Sequence, residues 1–232
     1  MRTILLLVCA AASPVVPVLA QAAAGGRIEG VASISTRLTN PRQRVRVYAE
    51  PGTAPEAPPA AEHPFAGVVI ALETTPALRQ LPREPATASM AQRAERFVPH
   101  VLAIGAGSAV EFPNQDPIYH NVFSLSSTRS FDLGRYARGE HKSVRFQRSG
   151  VVQVFCHIHA DMSAYLLVYD HPFYTMPDST GRFMLDNVPP GDYYLVAWHE
   201  RVRPIRVAVR VDAGRTVSTR VVIPLTDPPV TP

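Results

Sequence analysis

The chain has 232 residues, 23 Lys plus Arg against 19 Asp plus Glu, a formal net charge of +4 and 23 prolines. Nearly all the positive charge is arginine, with Lys142 the one lysine, and it is scattered, without the basic run or aromatic-plus-Arg motif of a nucleic-acid-binding domain. Long helical periodicity is nearly absent, while short runs of Val, Ile, Phe and Tyr recur between turn residues, which points to an all-β protein.

Residues 1–20 read as a cleaved signal peptide. Arg2 supplies the positive start, Ile4 to Ala12 is an apolar run, and Val18-Leu19-Ala20 fits a small-x-small cleavage site before Gln21. The apolar run is too short to cross ~30 Å of hydrocarbon, and Pro14 and Pro17 interrupt it. Cys9 follows Val8 rather than a small residue, which argues against a lipoprotein cysteine. The expectation is a soluble, exported, periplasmic protein without a membrane span.

Strand patterns follow at Arg27 to Ser35, Arg44 to Tyr48 and Gly67 to Glu73. Residues 51–62, mostly Pro, Ala and Glu, read as an exposed loop. Residues 75–91 read as a linker, with a short helical turn near Ser89-Met90-Ala91-Gln92. Strands are then expected at Arg96 to Ile104, Ser108 to Phe112, Asn121 to Leu125, Ser143 to Gln147, Val151 to Cys156 and Ser163 to Tyr169. This spacing suits a sandwich or Greek-key barrel. Beyond His171-Pro172, turn-and-strand patterns recur at Asp178 to Leu185, Asn187 to Trp198, Val207 to Val211 and Val217 to Ile223. Residues 226–232 read as a frayed tail.

The chemistry concentrates in Cys156-His157-Ile158-His159-Ala160-Asp161-Met162, with His120-Asn121 upstream. With Cys9 removed in the signal, Cys156 cannot form an internal disulfide, so a lone thiol in an exported protein needs another reason to be there. One thiolate, two imidazoles and a thioether form a set that copper can use in both oxidation states.

Cys156-x-x-His159-x-x-Met162, lying between two strands, resembles the ligand loop of the cupredoxins, the type 1 blue copper proteins. Phe112-Pro113-Asn114-Gln115-Asp116, followed by His120-Asn121-Val122-Phe123, is similar to the segment that carries their first histidine. The resemblance spans roughly residues 92–170 and is nearest to the plastocyanin-like, or methylamine utilisation, type. It implies one type 1-like copper held by His120, Cys156 and His159, with Met162 as the weak axial ligand. It also implies that Asn121 ties the two ligand loops together. Better-known members carry a longer gap between the second histidine and the methionine, so the axial assignment is the most open of the four. His157 instead of His159 faces the metal if the loop is twisted; the Cys-x-x-His spacing favours His159.

Other readings remain beside this one. Cys156 alone could be a core residue. A structural zinc site usually has more than one cysteine and no methionine, and no cysteine-hydrolase signature surrounds Cys156. His63, His100 and His141 read as surface residues, and His171 marks a domain boundary. His199, after Trp198, is either near the copper loop or at a domain contact, against an ordinary strand-end histidine.

Asp178-x-x-Gly181-x-Phe183 and Val188-Pro189-x-Gly191-x-Tyr193 resemble the carboxypeptidase-regulatory-like (transthyretin-like) β-sandwich. The pieces suggest a split sandwich, residues 27–74 plus 172–225, with the cupredoxin domain, residues 92–170, inserted into it; loop closure makes such an insertion inexpensive. In the simpler alternative the N-terminal strands extend the cupredoxin barrel. The expected function is single-electron transport between redox partners, such as a cytochrome or an oxidoreductase, without catalysis. The alternatives are a copper-handling protein for delivery or storage, and a non-redox interaction module.

Overall fold

The computed structural model describes residues 24–35 and 63–224. The expected signal peptide, the Arg44 to Tyr48 strand, the 51–62 loop and the 226–232 tail lie outside the described residues.

β1 (Gly26–Ile34) lies between β14 (Arg182–Val188), antiparallel, and β17 (Thr216–Ile223), parallel. β2 (Val69–Leu72) lies between β13 (Tyr174–Thr175) and β15 (Gly191–His199), and β16 (Val202–Val211) closes that four-stranded sheet. The two sheets share one core, built from Ile28, Ile70, Leu72, Phe183, Leu185, Leu195 and Val221 among others. Residues from both sides of the long middle segment thus fold onto each other.

The middle segment builds a second core. β3 (Thr87–Ser89), β7 (Ala109–Pro113) and β10 (His141–Arg145) form one sheet. β6 (Val101–Gly105), β12 (Ser163–Tyr169), β11 (Gly150–Phe155), β8 (His120–Ser126) and β9 (Arg129–Tyr136) form the other, in that spatial order. Phe112, Phe146, Val152, Val154 and Leu166 fill the space between them, and Cys156 and Met162 lie at its margin among the same buried residues. A small hairpin, β4 (Ala91–Gln92) and β5 (Phe97–Val98), sits beside β7.

All four residues of β2 are buried, as expected for a strand covered on both faces. Ile70 and Leu72 face the first core, while Val69 meets Val101 and Leu167 of the five-stranded sheet. Tyr165 and Trp198 extend this contact at 5.3 Å between ring centroids. His100 Nε2 lies 3.0 Å from Glu200 Oε2 across the same junction.

Several elements differ from the sequence expectation. The helical turn near Ser89–Gln92 is absent: residues 87–89 and 91–92 are strand, with Met90 and Gln92 buried rather than on a helix surface. The one described helix is α1 (Pro76–Arg79), started by Thr75, whose side chain accepts from the Leu78 N–H, and by Pro76 in the first turn. The expected strand from Arg96 to Ile104 is divided at Pro99, which has no N–H to donate. β9 has no expected counterpart; it is a largely exposed edge strand with Gly134 at φ +65° inside it. Among the described residues, no helix is long and apolar enough to cross a membrane.

Gly181 and Gly134 both have positive φ, but their surroundings differ. A Cβ on Gly181 would collide with the Ala32 carbonyl oxygen and the Phe65 ring, whereas one on Gly134 meets nothing within 4 Å. Gly181→Ala is expected to cost more than about 2 kcal/mol and Gly134→Ala about 1 kcal/mol. Urea unfolding followed by fluorescence of Trp198, the one tryptophan, and by circular dichroism checks the contrast.

Candidate metal centre

The segment from Cys156 to Met162 joins β11 to β12, which pair from Phe155 opposite Ser163. Two backbone bonds close it: Cys156 N–H donates to Met162 O (3.1 Å), and Met162 N–H donates to His159 O (3.0 Å). The strand pairing therefore holds both ends of the loop together, and the short Ala160-Asp161 link turns within it. Met162 is 1% exposed and packs in the second core with Cys156.

His120 begins β8 on the neighbouring strand, fully buried. Its Nδ1 lies 3.8 Å from Cys156 Sγ, and His159 Nδ1 lies 3.9 Å from the same sulfur. The imidazole centroids are 4.8 Å apart. One potential donor atom from each of His120, Cys156 and His159 falls within 4.8 Å of the other two, so the three could hold one metal ion. His159 is only half-buried.

β8 and the loop are joined by a side chain. Asn121 Oδ1 accepts from the His157 backbone N–H (2.7 Å). His157 turns away from the group: its ring stacks on Phe123 with centroids 3.7 Å apart and planes 2° apart, and its side chain is 57% exposed. His199 is buried at the end of β15, where its Nδ1 accepts from the Arg201 N–H, and it does not join the group.

Of the histidines read as surface residues, His141 is exposed, while His100 is partly covered by Glu200 and Tyr165. His171 is fully buried; its Nε2–H donates to Leu72 O (3.0 Å), and its Nδ1 accepts from the Phe173 N–H (3.1 Å). That pattern requires the neutral ring, and burial pushes its pKa down accordingly.

The residue that sequence reasoning named in the motif but gave no role is Asp116. Its side chain is 3% exposed, and its Oδ2 accepts from His120 Nε2–H at 2.8 Å. The same carboxylate accepts from the backbone N–H groups of Ala94 (2.6 Å) and Glu95 (2.9 Å). Asn114 orients the segment by accepting from the Asp116 N–H and donating to Ile118 O and Tyr136 O. The available signal was an acidic residue four positions before a candidate histidine ligand, a weak cue without the fold.

The charges in this pocket depend on one another. Burial pushes the Cys156 thiol up, but His120, the Asn121 N–H, His159 and the Ile158 N–H together bring it down to about 6. Burial opposes a charged His120, yet Asp116 and then Cys156 raise it to about 9. Burial works against the Asp116 carboxylate as well, but the bonds from His120, Glu95 and Ala94 hold it below the ordinary range. Between about 6 and about 9 the metal-free pocket is thus an anion, a cation and an anion in a row. A thiolate is the form that binds a soft metal, and a bound ion would take the place of the proton on His120 Nδ1.

No protein-family model matches the chain, and no curated protein matches it in sequence. Among solved structures, a purple cupredoxin from Nitrosopumilus maritimus is similar over 35% of this chain and 99% of its own, at 21% identity and TM-score 0.33. A copper-containing nitrite reductase from Thermus scotoductus SA-01 is similar over 44% of this chain and 28% of its own, at 26% identity and TM-score 0.35. A reduced amicyanin variant is similar over 36% of this chain and 82% of its own, at 17% identity and TM-score 0.34. Each likeness covers less than half of this chain.

In the metal-free protein, thiolate absorbance in the ultraviolet is expected to appear with a midpoint of about 6, well below the ordinary 9.0. His120→Ala removes the largest lowering influence and is expected to move the midpoint upward. A midpoint that stays near 6 in the variant would show that His120 does not hold the thiolate.

Proposed function

We propose that the protein is an exported mononuclear type 1 copper protein that carries single electrons between redox partners. The observation that carries this reading is the convergence of His120 Nδ1, His159 Nδ1 and a low-pKa Cys156 sulfur in one buried pocket. Two imidazoles and a single thiolate fit copper by donor chemistry, and Met162 is the candidate weak axial ligand in the same cluster. Copper bound there would supply the acceptance and release of one electron.

The protein's own residues supply the rest. His120 is fixed by Asp116, Cys156 by the backbone bonds of its loop, and the two loops by Asn121. The low exposure of His120, Cys156 and Met162 excludes water from most of the pocket. His159 is the half-buried member, and Ile158 and Tyr119, each directly preceding one of the two histidines, are exposed at 40% and 61%. This face offers a redox protein, such as a cytochrome or an oxidoreductase, its approach to the site.

We further propose two modules: a cupredoxin domain of residues 92–170, which β3 and Met90 of the expected 75–91 linker also join, inserted in a carboxypeptidase-regulatory-like sandwich of residues 27–74 and 172–225. Two separate cores and the pairing of β1 and β2 with strands beyond residue 172 support this division. The N-terminal pattern of Arg2, an apolar run and Val18-Leu19-Ala20 supports export to the periplasm.

The test is to load the full chain with Cu(II) and record visible and EPR spectra beside a Cys156→Ser variant. An intense thiolate-to-copper band with narrow copper hyperfine splitting, lost in Cys156→Ser, is the expected outcome. A weak Cu(II) spectrum that is unchanged in the variant would sink electron carriage and leave copper handling or a metal-free role. In Met162→Leu the band is expected to persist and the reduction potential to rise, because the axial position tunes the potential without forming the thiolate bond.

A further inference from the structure

Asp116 is the one carboxylate among the described residues that is buried. An isolated ionised carboxylate in such a place is costly, so its partners have to account for it. They are three: His120 Nε2–H, and the N–H groups of Ala94 and Glu95.

The two N–H donors come from an unusual piece of backbone. β4 and β5 are joined by a two-residue turn closed by paired bonds between Arg93 and Arg96. The turn residues, Ala94 and Glu95, have φ +50° and +56°. Tight hairpins with two positive φ values normally use Asn and Gly, because other side chains cost about 1–2 kcal/mol each in that conformation. Here the turn aims two consecutive N–H groups at a single carboxylate, a geometry suited to holding an anion. The strain is thus located at the support of the Asp116 side chain.

We propose that Asp116 is a positioning residue that fixes His120 for the metal and holds the reduction potential of the site down, and that the Ala94–Glu95 turn serves to keep this carboxylate in place. The inference rests on the copper reading above. With Nε2–H committed to Asp116, the Nδ1 atom is the one left to face Cys156 and His159. A carboxylate behind a histidine ligand raises the electron density at the ligating nitrogen. A fixed negative charge buried near the metal favours its more highly charged, oxidised form, and low local polarity keeps that effect from being screened.

The experiment compares copper-loaded wild type with Asp116→Asn by equilibrium redox titration, beside the visible spectrum of each. The variant is expected to keep the thiolate band and to shift the Cu(I)/Cu(II) ratio at fixed ambient potential at least tenfold towards Cu(I), about 59 mV for one electron. A band retained with less than a twofold shift overturns the proposal alone. A wild type lacking the thiolate band overturns the copper reading and this proposal with it. Ala94→Gly with Glu95→Gly keeps both N–H donors while relieving the turn, so its potential is expected to match wild type and its stability to rise; a shift as large as that of Asp116→Asn would overturn the assignment to the carboxylate. Should Asp116→Asn not fold, nitrogen NMR of the zinc(II)-loaded wild type decides: His120 is expected to carry a slowly exchanging proton on Nε2, and a freely exchanging one would overturn the proposal.

Discussion

The bond between Asp116 and His120 brings three titratable groups into one buried row with Cys156, at 2.8 Å and 3.8 Å. None of the three would keep its charge in an apolar core alone, since burial acts against each charged form. Together they offset one another, and the surrounding structure follows from that requirement. The β4–β5 turn supplies donors to the carboxylate, β8 carries the imidazole, and the end of β11 brings the sulfur. Removing one member leaves the next with an uncompensated buried charge, which is the expensive condition for such groups. A metal ion in place of the His120 proton would leave the same chain of opposite charges in order.

Such an arrangement is only as good as the strands that hold it. His120 and Cys156 are 36 positions apart, and they meet because β8 and β11 are neighbours in the five-stranded sheet, with Phe155 opposite Phe123. Asn121 then spans the remaining gap by accepting from the His157 N–H. This explains why His157, though nearer in sequence to Cys156 than His159 is, faces outward. Its backbone is held by Asn121, and its ring gains a stacked contact on Phe123 instead.

The sequence showed the ligand candidates because their chemistry is rare: a single thiol beyond residue 20 beside His159 and Met162 stands out from any β-strand pattern. It also showed most strands, through alternation and the turn residues between them. The role of Asp116 was hidden because aspartate in a Pro-Asn-Gln-Asp-Pro stretch looks like an ordinary turn residue. The Ala94–Glu95 turn was hidden for the opposite reason, since neither residue favours positive φ and only the carboxylate it serves explains the conformation. β9 escaped notice because only Phe131 and Leu133 carry its apolar alternation before Gly134, which reads as a turn. The strands at residues 87–92 are short, and their Ala and Ser content suited a helix until burial of Met90 and Gln92 decided otherwise.

The flanking sandwich bears on the site through β12, although its own core includes none of the candidate ligands. β12 begins at Ser163, immediately after Met162, and is buried on both faces along much of its length. Ala164, Leu166 and Val168 pack inward with Cys156 and Met162, while Tyr165, Leu167 and Tyr169 face Val69 and Trp198 of the neighbouring sheet. An outer sheet face left to solvent would allow the strand to bend with the loop; packed interiors resist such deformation. In the proposed role this stiffness has a direct use. A site that exchanges one electron works with least rearrangement when its ligands cannot follow the preferences of either oxidation state, and the strand that ends the ligand loop is clamped from both sides. The flanking sandwich would then contribute to electron transfer by rigidity alone, through Val69 and Trp198 rather than through any donor atom of its own.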